Sequence, residues 1–122
     1  MNFGKLACAI CISTAFLAAP AVAATFKPIN TEKDFMKLAV GKKWVSKKGF
    51  VAYFNKDHTL SGGFGKKKMT GKWNWEGKYW CRTVILDGKN LGHDCQVHEI
   101  SGNQLKFTRK KGKGATLIYT TK

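Results

Sequence analysis

Six residues in the second half of the chain have the types and spacing to form a binding site: Trp73, Trp80, Arg82, Asp94, Gln96 and His98. Residues two apart on a strand share a face. A tight turn at Glu76-Gly77 sets Trp73 opposite Trp80, and the six then lie on one face of three adjacent strands. On an inward face they form a Trp-walled pocket with an Arg–Asp pair at its base. Such a pocket suits an apolar or aromatic ligand with a polar handle. The same residues also read as packed core, with Arg82 stacked on Trp and paired to Asp94. The opposite face, with Tyr79, Cys81, Ile85 and Val97, is apolar too, so the pattern leaves the inward face open.

Other chemistry is poorly supplied. The run His93-Asp94-Cys95-Gln96-Val97-His98 resembles a metal-ligand cluster, but on a strand His93 and His98 have opposite parity and diverge, and no metal is expected. Neither G-x-S-x-G nor H-E-x-x-H occurs, and no G-x-G-x-x-G opens a helix after a strand. The seven acidic residues contain no evident catalytic pair. We therefore expect no cofactor and no catalytic residues, and a binding protein rather than an enzyme.

The elements that must position these residues follow from short alternating apolar runs broken by turn residues. Strands are predicted at Lys43–Ser46, Phe50–Asn55, Thr59–Phe64, Met69–Trp75, Lys78–Leu86, Asn90–Ile100, Gln104–Arg109 and Ala115–Thr120. One short helix, Thr31–Ala39, precedes them. Thr31 is its cap, Asp34 its acidic N3 residue, and Gly41 its stop. Eight strands joined by short turns predict a mainly β fold, a small antiparallel up-and-down barrel, with a strongly bent open sheet as the competitor.

Residues 1–23 read as a secretory signal peptide: Lys5, a twelve-residue apolar stretch Leu6–Leu17, then an Ala21-Val22-Ala23 cleavage site. The apolar stretch is short for a membrane span, which needs about 20 residues, and Pro20 ends it. Processing leaves 24–122 as a single domain, periplasmic or secreted, with no transmembrane segment. It removes Cys8 and Cys11, so Cys81 and Cys95 remain as an isolated pair, which in an oxidising compartment means a disulfide. A three-residue loop at Asp87-Gly88-Lys89 pairs Leu86 with Asn90 and, in the same register, Cys81 with Cys95 and Arg82 with Asp94. Opposed β-carbons about 4.5–5.5 Å apart suit a disulfide.

The formal net charge of +15 falls to +14 once Lys5 is lost, and Arg82 and Arg109 are the only arginines. Lysines gather in the turns, with Lys47, Lys48, Lys66, Lys67, Lys68, Lys110, Lys111 and Lys113 as candidate polyanion contacts. A positive field of this size draws in anionic envelope components or extracellular polyanions. Lysine without arginine favours diffuse, salt-sensitive attraction over sequence-specific nucleic-acid recognition.

The stretch from Phe54 to Lys113 resembles a group of short exported bacterial proteins that often bear the name dihydrodipicolinate reductase. Five segments carry the likeness: Phe54-x-x-Asp57-x-Thr59-Leu60-x-Gly62, Thr70-Gly71-x-Trp73-x-Trp75-Glu76-Gly77, Tyr79-x-Cys81-Arg82, Gly92-x-Asp94-Cys95-Gln96 and Gly102-x-x-Leu105-x-Phe107. The residues do not support that activity, because the dinucleotide fingerprint and the length for two domains are both lacking. Gly41-x-x-Trp44 after a short helix is similar, more weakly, to the start of lipocalins among the calycins. That likeness implies a barrel and, less directly, a small ligand. The expectation is an exported, non-enzymatic binding protein. A secreted cationic effector, an enzyme inhibitor, or an enzyme of unrecognised class are the alternatives.

Overall fold

The computed structural model describes residues 25–122; the signal peptide expected at 1–23 lies outside the described residues. The chain runs β1 (Lys27–Ile29), α1 (Glu32–Leu38), β2 (Lys43–Ser46), β3 (Val51–Phe54), β4 (Thr59–Phe64), β5 (Lys67–Glu76), β6 (Tyr79–Leu86), β7 (Lys89–Ser101), β8 (Gln104–Thr108), α2 (Arg109–Gly112) and β9 (Thr116–Thr120). Each strand from β2 to β8 pairs antiparallel with the next, and β8 with β9. The sheet closes where β9 returns to β2, Val45 opposite Thr120 and Ser46 opposite Tyr119. The fold is therefore an eight-stranded closed barrel rather than an open sheet. Closure removes the edges that an open sheet of this length would expose.

The extra strand β1 has no alternating pattern and carries Pro28, which is why it is not legible in the sequence. Proline is tolerated at a sheet edge. β1 pairs with the second half of β7, Ile29 opposite His98, on the edge that β6 leaves after Trp80–Gln96.

The α1 cap forms as its residues predict: Thr31 Oγ1 accepts the Asp34 N–H at 3.2 Å. Phe35, fully buried, is the residue this helix contributes to the core. Its ring lies 5.2–6.0 Å from those of Phe54, Trp73, Trp75, Trp80 and His98. Edge-on and tilted packing of this kind adds to the gain from burying the rings. α1 thus plugs the end of the barrel beside the β5–β6 turn. Glu32 Oε1 ties it down through His58 Nε2 at 2.7 Å, and the His58 ring stacks on Trp73.

Two predicted registers need correction. The β6–β7 turn has two residues, not three, because Leu86 pairs with Lys89. Asp87 and Gly88 both take positive φ, 51° and 77°, as a type I′ hairpin demands. Cys81 still meets Cys95, and Arg82 still meets Asp94, because a bulge at Leu91-Gly92 inserts one residue into β7, with Gly92 at φ 81°. In the β5–β6 hairpin, Trp75 rather than Trp73 faces Trp80, and Trp73 faces Arg82. The turn is centred on Gly77-Lys78. A two-residue slip preserves which face each side chain occupies, so the predicted face survives.

Candidate functional site

The closed barrel decides which face is inside. Trp80, Arg82 and Val84 of β6 point inward with Trp73 of β5 and Gln96 and His98 of β7, and all are buried. Cys81, Cys95 and His93 lie on the outer face, and His93 and His98 diverge as their parity requires. Of the six predicted residues, five are buried and Asp94 is half-buried. Trp73 is packed under α1, its Nε1 donating to Asn55 O at 3.2 Å, and does not line the cavity.

A cavity of about 230 Å³ occupies the barrel above that plug. Trp80, Gln96 and His98 line its floor, Arg82 the next level, and Leu60, Met69 and Val84 the wall. Leu91 and Leu117 stand at its opening, 45% and 39% exposed. Leu117, Phe107 and Tyr119 join the lining through β8 and β9, strands that the sequence reading did not include in the candidate site.

The polar floor is a directional chain. Gln96 Nε2 donates to Asp94 Oδ2 at 3.0 Å, so its Oε1 faces His98 Nε2 at 3.4 Å and takes that proton. His98 Nδ1 is then a bare lone pair. It has no partner among the described residues, and neither has the Trp80 Nε1–H. His98 is 1% exposed, and burial drives its pKa down to about 3, so the imidazole is neutral.

Arg82 is 8% exposed and makes one recorded hydrogen bond, Nη1 to Gly92 O at 2.9 Å. Burial lowers its pKa, the Arg109 charge adds to this, and Asp94 opposes it. The expected Arg82–Asp94 pairing is one of register, without a salt bridge. The Asp94 carboxylate is held instead by Gln96, by the Lys110 N–H at 3.1 Å and by Arg109 Nε at 3.5 Å. Burial raises the Asp94 pKa, but these hydrogen bonds and the two guanidinium charges outweigh it and leave the carboxyl below its ordinary value. Arg109 was not foreseeable as its partner, since α2 alone brings it there.

The disulfide forms between Cys81 and Cys95 as the register predicts. Glu76 Oε2 lies 3.2 and 3.5 Å from its sulfurs, with His93 Nε2 3.5 Å from Cys95 Sγ. Four potential metal ligands converge here. A disulfide sulfur carries neither proton nor ligand charge, so these are packing contacts in the oxidised protein. The α2 segment covers this face, with Lys111 Nζ 5.4 Å from the centre of the Tyr79 ring.

Topology gathers the lysines. In an antiparallel up-and-down ring, alternate turns lie at the same end. The β2–β3, β4–β5, β6–β7 and β8–β9 turns therefore surround the open end, opposite α1. Lys47 and Lys48 occupy the first, Lys66, Lys67 and Lys68 the second, and Lys110, Lys111 and Lys113 the last, all exposed. Lys66, Lys67 and Lys68 share a shallow outer groove of about 430 Å³ with Lys43. Phe64, 46% exposed, stacks on Phe50 at the same end. The cations and exposed apolar side chains thus frame one opening.

Neither a protein family nor a curated protein nor a solved structure matches the chain.

Proposed function

We propose that the protein is an exported, non-enzymatic binding protein that carries a small, largely apolar ligand in its barrel. The observation that carries this reading is the 230 Å³ cavity, open at one end, with Trp80, Gln96, His98 and Arg82 in an otherwise mainly apolar lining. The apolar wall and the few polar groups match the composition of small-molecule sites. The Cys81–Cys95 disulfide supports an oxidising compartment, periplasm or medium. Native mass spectrometry of the processed protein, purified gently from its own host, tests the reading. A bound mass that disappears on denaturation is expected; a bare mass under the gentlest conditions refutes a stably carried ligand.

A second activity is favoured by the lysine turns around the open end: attachment to an anionic envelope surface or another polyanion. Exposed Phe64, Leu91 and Leu117 among those cations suit a lipid surface better than a purely polar polymer. The test is co-sedimentation with anionic vesicles at rising salt, where attachment is expected to fall steeply. Binding unchanged by salt and by lipid charge refutes it.

A further inference from the structure

The cavity has a polar gradient that bears on what it takes. Its floor, against α1, presents Trp80, Gln96 and His98, with Arg82 one step above. From there to the opening the lining is mainly apolar, through Leu60, Met69 and Val84 to Leu91 and Leu117, with Arg109 the one charged side chain at this end and its guanidinium held by Asp94. A ligand that satisfies both ends enters with its polar group first and leaves its apolar part towards the mouth.

Charge narrows the polar group further. Arg82 and Arg109 contribute two positive charges beside the single negative charge of Asp94, and the two oxygens of Asp94 are already engaged by Gln96, Lys110 and Arg109. A guanidinium has five N–H donors, and Arg82 has one recorded acceptor, Gly92 O. An uncompensated buried charge is costly, and one planar oxyanion offers acceptors to the free donors of the guanidinium. Size follows from volume: a 150 Å³ apolar cavity takes benzene, so 230 Å³ holds roughly nine non-hydrogen atoms.

We infer that the barrel binds a small carboxylate amphiphile with an apolar body of about six carbons, its carboxylate on Arg82 and its tail at the Leu91–Leu117 opening. This rests on the ligand-carrier reading above and adds the chemistry of the head group.

The test is isothermal titration of the processed protein at pH 7 with three probes of one chain length: octanoate, 1-octanol and octylammonium. Octanoate is expected to bind one to one, at least tenfold tighter than 1-octanol, because hydrogen bonds to charged groups exceed neutral ones. Octylammonium is expected to be weakest. Arg82→Met is expected to reduce octanoate to the affinity of 1-octanol, while Lys33→Glu/Lys56→Glu, exposed at the closed end, leaves it unchanged. Octanol or octylammonium binding as tightly as octanoate overturns the carboxylate assignment and leaves the carrier reading standing. Loss of octanoate binding in the lysine variant also overturns it, by moving the interaction to the surface. No heat from any probe, with the cavity simply hydrated, overturns both. The three-probe comparison uses the unmutated protein, so it decides even if Arg82→Met does not fold.

Discussion

Acidification from pH 7 to pH 5 isolates the energetic role of His98. The imidazole is fully buried, and the groups around it are Gln96, Trp80, Phe35, Phe54 and Phe107, none of which titrates in this range. Burial sets its folded pKa at about 3, against an unfolded value near 6.5. Between those values the unfolded chain takes up a proton that the folded protein refuses. Stability therefore falls as pH drops below about 6.5, and the loss ends only near the folded pKa. Integrated from pH 7 to pH 5, this one site removes about 2 kcal/mol. For a domain of this size that is a fall of roughly 8–15 °C in Tm. The lowered carboxyl groups Asp57 and Asp94 lose their contribution only below about pH 4, so they leave this window clean. The assay is urea unfolding at both pH values for the wild type and His98→Gln, whose amide can still reach Gln96. The wild type is expected to lose about 2 kcal/mol more than the variant. Equal losses would show that His98 is protonated within the fold and refute the reasoning.

Three further predictions follow from the same structure. Removing the bridge with Cys81→Ser/Cys95→Ser opens a loop of sequence separation 14 and is expected to cost about 3 kcal/mol, read as a lower urea midpoint. Phe35→Ala withdraws the ring that five other aromatic side chains pack against and is expected to cost about 3–5 kcal/mol, with a shift in tryptophan emission as Trp73, Trp75 and Trp80 gain water. Lys66→Glu/Lys67→Glu/Lys68→Glu is expected to weaken attachment to anionic vesicles roughly a hundredfold, at about 1 kcal/mol per lysine, while thermal stability stays near the wild-type value. Undiminished attachment would remove the β4–β5 turn from the contact surface.

Local pattern carried much of the architecture. All eight barrel strands were legible because their apolar alternation is interrupted by turn residues, and α1 because Thr31, Asp34 and Gly41 mark its ends. The disulfide was legible because a cross-strand pair needs only the correct register, and that register is sensitive to one residue. The turn was mistaken by one, but the Gly92 bulge restores it, so Cys81 and Cys95 meet for a reason that turn chemistry alone did not contain. β1 escaped notice because three residues with a proline have no periodicity.

The candidate site was legible in part. Parity put Trp80, Arg82, Gln96 and His98 on one face, and that face is the interior. Parity is blind to distance, however. Trp73 has the same parity and belongs to the plug, while Asp94 binds Arg109 and Lys110 instead of Arg82.

What the sequence determined by itself, then, is whatever depends on neighbours along the chain: strand periodicity, turn positions, the helix cap, charge, and the pairing of two cysteines across one hairpin. What only the tertiary structure decided is whatever depends on closure. Two apolar faces competed for the inside, and the choice came from joining β9 to β2, planting Phe35 over one end, and covering the outer disulfide with α2. Closure also turned scattered lysine turns into a single cationic opening, because alternate turns of a ring share an end. Side-chain burial and field strength both depend on distances in space, which one-dimensional spacing encodes only within an element and its nearest partner.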